Sequence, residues 1–389
     1  MFRRLSVQTS GESHGRGMIA TVTGLPAGFA VDIDLIDAML ARRQRGYGRS
    51  SRQKLEHDRV EVLTGLYRKR TSGAPITLAV WNKDDSLDSK PPLTRPRPGH
   101  GDLAGGQKYD TTDMRPILER ASARETAARV AAGGLLAGIL AELGVELLGH
   151  VVSLGGVVAG QPTGRAGLAT LRRRRDKSPF ACLDPGCEKR MKAAVDRARK
   201  AGDTLGGLFE VTAHGVPAGL GSLDDFGSRL DARLGAALLS IPAIKAVEIG
   251  DGIAAAGQPG SAVHDPVTRP DAKGPRRRSN HAGGVEAGMS NGEPVVVRGA
   301  MKPLPTLARP LGSWDYASDT AGRAFYERSD VTAVPAASVV GEAMVALVLG
   351  DALLARTGGD HRRDVARSLA AQRRAVASRF GRARSGKSR

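Results

Sequence analysis

Aromatic residues, cysteines and long apolar runs are scarce in this chain of 389 residues. Phe, Trp and Tyr make up 4% of the sequence, so few rings are available to stack on nucleic-acid bases. The two cysteines, Cys182 and Cys187, fit no zinc-binding pattern and cannot form a disulfide framework, which favours a reducing compartment and predicts no metal site. The N-terminal residues lack an apolar signal region, and no run of about 18 apolar residues occurs, so we expect a cytoplasmic protein without a membrane partner.

Positive charge, in contrast, is abundant, with a formal net charge of +18 at pH 7. Ten Lys and Arg and two Asp lie in residues 360–389, so +8 of this charge belongs to the C-terminus. We therefore interpret residues 356–389 as a basic tail, either helical or disordered. No known DNA- or RNA-binding motif accompanies the charge, so we expect an anionic small molecule as the partner and no nucleic acid.

Two histidines are framed by glycines. His100 lies between Gly99 and Gly101 in a loop rich in Pro and Gly, and His14 lies in the segment GESHG of residues 11–15. The absence of side chains on the neighbours lets a ligand approach the imidazole. Strand-like alternation on both sides of GESHG predicts a hairpin with His14 at its tip. A functional histidine and a solvated turn histidine are equally compatible with that position.

A helix start suited to an anion follows the His100 loop. Ser122 and Glu125 have the spacing of a capping box, in which Ser122 is the N-cap and Glu125 reaches back to it. Arg120 and Arg124 flank this start, and free backbone N–H groups beside guanidinium groups favour a phosphate. The helix expected over residues 127–143 is rich in Ala and Gly, which predicts close burial against neighbouring backbone.

Four arginines cluster near the end of another predicted helix, which Asp32 or Asp34 caps. They are Arg42, Arg43, Arg45 and Arg49. Arginines at a helix end commonly complement the helix dipole. Four of them interrupted by glycines could equally clamp a multiply charged anion through paired hydrogen bonds.

Apolar periodicity predicts both strands and helices along the rest of the chain. Strands are expected over residues 60–65, 75–82, 151–158, 207–213, 244–249 and from residue 294. Helices are expected over residues 188–201, 223–239 (with Phe226, Leu230, Leu234 and Leu238 inward) and 339–354. The basic residues 171–177 are expected to be solvated surface. The Gly-rich residues 279–292 fit either a loop that approaches a ligand or a surface Ω-loop, and they contain no dinucleotide or P-loop fingerprint.

Seven segments stand out in order along the chain: GESHG, RPGHGD, ERASARETAARVAAG, AGDTLGG, SNHAGGVEAGMSNG, AMKPLPT and RSDVTAVPAA. Together they resemble the chorismate synthase family over about residues 1–355. The resemblance implies a homotetramer whose subunit is a single α+β domain over residues 1–355, with antiparallel sheets sandwiched by helices in a β-α-β sandwich. It also implies the 1,4-elimination of phosphate from 5-enolpyruvylshikimate 3-phosphate to give chorismate, the last step of the shikimate route, with reduced FMN and no net redox change.

The resemblance also implies functions for individual residues. His14 would protonate the departing phosphate, His100 would protonate or polarise the reduced flavin, and Asp330 would assist the flavin in taking the substrate's proton. The residues implied to contact FMN are Arg120, Ala121, Ser122, Pro242, Ala243, Ala287, Lys302, Pro303, Leu304, Pro305, Thr306 and Arg328. Arg43 and Arg49 match arginines assigned to NADPH, a potential reductant, although the same pair could hold the substrate's anionic groups. We expect the three catalytic side chains to line one cleft within roughly 15 Å.

Three residues depart from the pattern of the family. Ala287 and Asp110 stand where Gly is usual, and Ser329 stands where many relatives have His. Two other function classes stay open at this point. They are an NADPH-dependent flavin reductase-type enzyme, which would turn over without the shikimate substrate, and a basic polyanion-binding protein, whose binding would depend steeply on salt.

Overall fold

The predicted N-terminal hairpin is confirmed, because strand β1 (Ser6–Ser10) pairs antiparallel with β2 (Gly17–Thr23) and GESHG lies between them. The computed structural model describes residues 2–49, 57–160, 166–272, 274–327 and 329–381. Within these ranges the further strands are β3 (Glu61–Thr64), β4 (Leu66–Tyr67), β5 (Arg70–Thr71), β6 (Ile76–Trp81), β7 (Glu146–Leu154), β8 (Val157–Val158), β9 (Gly207–His214), β10 (Ile244–Ile249), β11 (Val267–Asp271), β12 (Gly274–Arg277), β13 (Val285–Glu286), β14 (Met289–Ser290), β15 (Val295–Met301), β16 (Gly312–Asp315) and β17 (Thr320–Arg323). The helices are α1 (Ile33–Gln44), α2 (Asp102–Tyr109), α3 (Arg115–Arg120), α4 (Thr126–Glu142), α5 (Leu168–Lys177), α6 (Glu188–Ala201), α7 (Leu230–Leu239), α8 (Gly252–Ala256), α9 (Gly260–Val263), α10 (Val334–Thr357) and α11 (Arg362–Phe380).

The strands form two main antiparallel sheets. One has the order β1-β2-β6-β3, and the other has the order β10-β15-β9-β7-β8. The remaining described strands pair in two-stranded ribbons, β4 with β5, β11 with β12, β13 with β14 and β16 with β17. The α+β class with antiparallel sheets is thereby confirmed.

Helices α4 and α10 lie between the two sheets. Helix α4 packs against α1 and against β2 and β6 of the first sheet, whereas α10 packs against α4 and against β7 and β9 of the second. One apolar core surrounds both helices and includes residues from Leu5 to Leu369. The layers are therefore sheet, helices and sheet, which is the order of a β-α-β sandwich.

Small residues let the central helices approach each other, as the Ala and Gly content of α4 predicts. A Cβ added to Gly133 of α4 would stand 2.5 Å from the Cα atom of Ala343 on α10, so no larger residue fits there. Helix α10 is long and apolar enough to cross a membrane by composition alone, but its apolar window is entirely buried inside the fold. Its hydrophobicity therefore serves the core.

The prediction of one helix over residues 223–239 is wrong at its start. Helix α7 begins only at Leu230, and Phe226, expected to point inward, is 88% exposed in a short 3-10 turn. The cause is local hydrogen bonding in the preceding polar segment, where the backbone N–H of Asp224 donates to the Ser222 hydroxyl. Ser and Asp side chains that bond to nearby backbone compete with helix formation. The strand expected over residues 151–158 is likewise two strands, β7 and β8.

The prediction of a solvated basic run over residues 171–177 is wrong for Arg175. This arginine of α5 is buried, and its Nη1 lies 3.3 Å from Oε2 of Glu342 on α10. Arg42 donates to the same carboxylate at 2.7 Å. Burial alone would raise the pKa of Glu342, but the two arginines outweigh it and lower the pKa. The buried carboxylate of Glu342 therefore pairs with two arginines, Arg42 and Arg175, whose burial was not predicted from the sequence.

The prediction of a capping box at the start of α4 is correct for Ser122 and wrong for Glu125. The Ser122 hydroxyl caps a 3-10 turn by accepting from the backbone N–H of Arg124. The Glu125 carboxylate turns elsewhere, accepting from the Thr9 hydroxyl at 2.7 Å and from Arg129 at 2.8 Å. The turn is thus tied to strand β1 by its acidic residue.

The basic tail forms helix α11 up to Phe380 and packs on the core. Val365 and Leu369 are buried within it, and Arg373 donates to the backbone carbonyl of Leu143 at the end of α4. The arginines of this helix are otherwise mostly exposed. Residues 382–389 lie outside the described residues, and the boundary at residue 356 stays a prediction.

Candidate active site

Residues from nearly the whole chain meet in one cleft of about 420 Å³, a volume typical of small-molecule sites. Its wall combines the hairpin tip, the end of α1, the loop before α2, the start of α4, the loops after α7 and β15, and the start of α10. Twelve predicted site residues line it: Arg43, Arg49, His100, Ala121, Ser122, Pro242, Ala243, Lys302, Leu304, Pro305, Thr306 and Asp330.

Four other predicted residues lie outside this wall, namely His14, Arg120, Ala287 and Pro303. The Arg120 guanidinium turns away from the cleft and donates to the backbone carbonyls of Thr9 and Gly11. Pro303 is exposed, and Ala287 lies in the turn between β13 and β14. Arg328 falls outside the described residues.

Two departures from the family pattern have a common backbone cause. Ala287 has a φ of 48° and Asp110 a φ of 53°, both in the left-handed region that favours Gly. Asp110 ends helix α2 in this conformation. Both positions therefore have a backbone conformation in which Gly is favoured over other residues.

A carboxylate holds His100 at the edge of the cleft. Its Nδ1 lies 2.5 Å from Oδ1 of Asp102, and Nε and Nη2 of Arg97 donate to the same carboxylate at 2.8 and 3.0 Å. Burial alone would raise the pKa of Asp102, but the hydrogen bonds from His100 and Arg97 outweigh it and hold the pKa well below its usual range. Because Nδ1 donates to an ionised carboxylate, Nε2 is the ring nitrogen left for a ligand.

His14 has similar support and is buried beside the cleft, next to the lining residues Ser13 and Glu327. Its Nδ1 lies 3.0 and 2.9 Å from the two carboxylate oxygens of Glu119, and Arg115 approaches that carboxylate at 3.5 Å. Its Nε2 lies 3.8 Å from Asp84 and 3.8 Å from Glu327. The side chain is only 2% exposed, so His14 does not itself line the cleft, contrary to the expectation from its glycine-framed position.

Arg43 and Arg124 share one buried carboxylate beneath the cleft. The two oxygens of Asp58 accept from Nη2 of Arg43 and Nη1 of Arg124, both at 2.5 Å. Burial alone would raise the pKa of Asp58, but the two guanidinium groups outweigh it and lower the pKa. One carboxylate between two arginines leaves a net positive charge at this wall, which suits a ligand with several negative groups.

A second ion pair brings Arg49 to the catalytic candidate Asp330. Nη1 of Arg49 lies 2.9 Å from Oδ2 of Asp330, and Nη2 donates to the backbone carbonyl of Arg43 at 3.4 Å. In the described part of the chain, the buried Nε atoms of Arg43 and Arg49 have no hydrogen-bond partner. Buried donors of this kind are normally satisfied, so the arrangement suits an anionic ligand that binds beside them.

The cleft is also lined by apolar side chains, which we call its apolar wall. The side chains that form it are Ile241, Pro242, Ala243, Met301, Leu304, Pro305, Ala336, Ala337 and Val340. Lys302 joins this wall to the His100 loop by donating to the carbonyl of Gly99 at 2.8 Å, and burial together with Lys245 lowers the Lys302 pKa. The cleft thus offers an apolar surface for a flat ring and a cationic surface for its anionic groups.

Sequence reasoning missed four residues that shape the site, namely Arg97, Asp58, Glu119 and Glu327. Arg97 lies three residues before His100 in the Pro-rich loop, so proximity in the sequence could have suggested it. Glu119 is 105 residues from its partner His14, and Asp58 is 66 residues from Arg124. Only the tertiary structure brings these pairs together.

Comparisons with known proteins agree on one family. The family model described as chorismate synthase matches residues 5–354. A chorismate synthase of Desulforudis audaxviator is 52% identical over 366 residues, covering 90% of this chain and 93% of that protein. A chorismate synthase of Thermobifida fusca is 50% identical, covering 93% of this chain and 96% of that protein. A crystal structure of chorismate synthase superimposes with a TM-score of 0.80 at 38% identity, covering 97% of this chain and all of that one.

Proposed function

The chain belongs to the chorismate synthase family, and on this basis we propose that it eliminates phosphate from 5-enolpyruvylshikimate 3-phosphate to form chorismate. The reaction is a 1,4-elimination, which makes the enzyme a phosphate-eliminating lyase of the shikimate pathway to aromatic amino acids. The observation that carries this proposal is a single cleft lined both by arginines, among them Arg43, Arg49 and Arg124, and by apolar side chains. A substrate with two carboxylates and one phosphate needs that much positive charge.

The residues of the cleft fit reduced FMN as the cofactor. The apolar side chains of the cleft suit a flavin ring, and Lys302 with the arginines of the cleft supplies positive charge for its phosphate. The unpartnered Nε atoms of Arg43 and Arg49, within the described residues, add donors for further anionic groups. When bound, reduced FMN supplies an electron transiently to an elimination that has no net redox change.

The side chains of the chain itself would orient the ligands and handle protons. Asp102 orients His100 so that Nε2 can donate to or polarise a bound cofactor. Nη1 of Arg49 lies 2.9 Å from Oδ2 of Asp330 and so orients this carboxylate. Asp330 would help to receive the proton that leaves the substrate carbon. Arg43 and Arg124, held by Asp58, would bind the anionic groups of the substrate, a role that competes with NADPH binding by Arg43 and Arg49.

Family membership also supports two broader proposals. We expect a homotetramer in the cytoplasm, as for a biosynthetic enzyme of small anionic metabolites. NADPH is proposed as a reductant only if the enzyme reduces its own flavin.

An anaerobic assay of phosphate release tests the function directly. The protein is mixed with 5-enolpyruvylshikimate 3-phosphate and with chemically reduced FMN, oxidised FMN, or oxidised FMN plus NADPH. We expect phosphate and chorismate with reduced FMN, no turnover with oxidised FMN, and no net flavin oxidation during turnover. Activity with NADPH would show that the enzyme reduces its own flavin.

The same assay separates the alternatives. A flavin reductase-type enzyme would consume NADPH without the shikimate substrate. A polyanion-binding protein would release no phosphate under any condition. Phosphate release that proceeds unchanged with oxidised FMN would contradict the requirement for the reduced cofactor.

A further inference from the structure

One of the seven motif segments has no function so far, namely AGDTLGG of residues 201–207. It runs from the end of helix α6 to the start of strand β9, and none of its residues lines the cleft. Its contacts lead to two loops that do line the cleft, the loop of residues 302–306 and the loop that carries Asp330. The segment therefore supports the cleft without being part of its lining.

The loop of residues 302–306 follows strand β15 and has little backbone support of its own. Two of its five residues are prolines, which have no backbone N–H to donate. Among the described residues, no hydrogen bond between backbone groups reaches residues 303–306. The loop nevertheless supplies four side chains to the cleft, those of Lys302, Leu304, Pro305 and Thr306. Side chains from elsewhere must therefore hold it.

The hydroxyl of Thr204 is one such anchor. It donates to the backbone carbonyl of Leu304 at 2.7 Å, and Thr204 is only 6% exposed. A second anchor lies at Thr306, whose hydroxyl accepts from Nη1 of Arg97 at 3.0 Å. Thr306 lines both the cleft and a second cavity of about 210 Å³, so the loop borders two open spaces. Hydrogen bonds therefore contribute more to its position than they do in a loop packed on all sides.

The next two residues of the segment contact both loops through backbone. The N–H of Leu205 donates at 2.8 Å to the carbonyl of Val331, which directly follows Asp330. A Cβ added to Gly206 would stand 2.3 Å from the carbonyl oxygen of Met301, so no larger residue fits there. The segment is thereby fixed against both loops.

We propose that Thr204 is a positioning residue, whose hydrogen bond to the Leu304 carbonyl fixes the backbone of the 302–306 loop for the cofactor. This inference rests on the proposed function, which assigns FMN to the cleft. Thr204 does not line the cleft itself. It sets the position of a loop whose side chains do, and the backbone of the same segment joins that loop to the loop of Asp330.

Binding of FMN to full-length variants tests the proposal. Thr204→Val keeps the shape of the side chain but loses the donor, so the Kd for FMN should rise about fivefold. Thr204→Ser keeps the hydroxyl, and its Kd should stay within about twofold of the wild-type value. Titration of oxidised FMN, followed by its fluorescence, measures both values.

Thr71 offers a matched control. It is 3% exposed, its hydroxyl donates to the carbonyl of Pro26 at 2.6 Å, and it does not line the cleft. The same hydroxyl accepts from the N–H of Phe29, so Thr71→Val should lower the urea midpoint at least as much as Thr204→Val does. Its Kd for FMN should nevertheless equal that of wild type. If Thr204 served stability alone, the two valine variants would bind FMN alike.

Hydrogen exchange gives a second readout that needs no cofactor. The amides of Lys302 and Arg309 bracket the loop and donate to the carbonyls of Ala243 and Gly202 at 2.9 and 3.0 Å. Without FMN, both amides should exchange about fivefold faster in Thr204→Val than in wild type, because the loop between them opens more often. Thr71→Val should leave these two rates unchanged.

Several results would overturn the proposal. They are a wild-type Kd for FMN in Thr204→Val, an equal loss of affinity in Thr71→Val, a Thr204→Ser chain that binds as weakly as Thr204→Val, and unchanged exchange at Lys302 and Arg309. If Thr204→Val does not fold, Thr204→Cys takes its place with the same expectation, since a thiol donates only weakly. A wild-type chain that binds neither oxidised nor reduced FMN would instead reject the proposed function, and the exchange rates would still decide whether Thr204 holds the loop.

Discussion

The two histidine centres are built alike but placed differently. His14 and His100 each donate Nδ1 to a buried carboxylate, Glu119 and Asp102 respectively, and an arginine contacts each carboxylate. The carboxylate decides which ring nitrogen carries the proton and which remains for chemistry. What differs is the surroundings of Nε2, since His100 lines the cleft and His14 faces Glu327 and a second carboxylate. The local support of a histidine therefore fixes its orientation, while its place relative to the cleft decides which partner it can act on.

The largest effect is expected from removing the Asp102 carboxylate of the centre that lines the cleft. Asp102→Asn takes the acceptor from His100 and leaves buried Arg97 without its counter-charge. We expect kcat to fall on the order of 1,000-fold because His100 loses its fixed tautomer, and stability to fall by about 3 kcal/mol because a buried ion pair is broken. Turnover with reduced FMN and urea denaturation measure the two effects.

Asp110→Asn at the other end of α2 is the matched control. Asn tolerates the left-handed backbone of that position, so rate and stability should stay close to wild type. Equal losses of kcat and stability in both variants would mean that the effects come from disturbing helix α2 and not from removing the carboxylate at His100.

The equivalent change at the buried centre should be milder. Glu119→Gln keeps an oxygen for Nδ1 of His14 but removes the charge that faces Arg115. We expect a roughly 10-fold loss of kcat, since Gln still offers an oxygen that orients the imidazole, and a stability loss of about 2 kcal/mol. Glu12→Gln at the exposed hairpin tip should change neither quantity. A loss of rate larger than that of Asp102→Asn would reverse the ranking of the two centres.

Acid should weaken the fold through both centres. The pKa of Asp102 and that of Glu119 are lower in the folded chain than in the unfolded chain. The stabilisation that each carboxylate gives is therefore fully present above its unfolded pKa of about 4 and is lost progressively as the pH falls from there towards its folded pKa. Urea midpoints measured from pH 7 to pH 3 should fall less steeply for Asp102→Asn and Glu119→Gln than for wild type. Identical slopes in all three proteins would contradict this account.

The smallest effect concerns the glycines that frame His100. Gly99 has a φ of 79°, whereas Gly101 has a φ of −78° and an added Cβ would meet only Ala121 and Ile117 at 3.9 and 4.0 Å. Gly99→Ala should cost about 1 kcal/mol of stability, and Gly101→Ala should stay within about 0.5 kcal/mol. Thermal denaturation of the two variants compares them. A larger cost at residue 101 would show that the loop needs both glycines for the fold.

Prediction from the sequence succeeded where the signal was local. Alternation of apolar residues located the hairpin of β1 and β2, and Asp32 was correctly one of two candidates for the cap of α1, as its side chain accepts from Leu35 N–H. Prediction failed where a polar side chain could form a hydrogen bond with more than one partner. Glu125 bonds to Thr9 on a distant strand in place of the neighbouring backbone, and no pattern of spacing encodes that choice.

The sequence by itself determined the family and, through the family, the α+β class, and it also showed the small residues of α4 and the glycines that frame His100, because motif order and composition are visible along the chain. Only the tertiary structure decided that Asp58 holds Arg43 and Arg124 together. It alone also decided that His14 is hydrogen-bonded to a glutamate 105 residues away and is buried beside the cleft. The physical reason is that buried charges must find counter-charges wherever packing brings them. That requirement acts across the folded core and leaves no trace in local spacing.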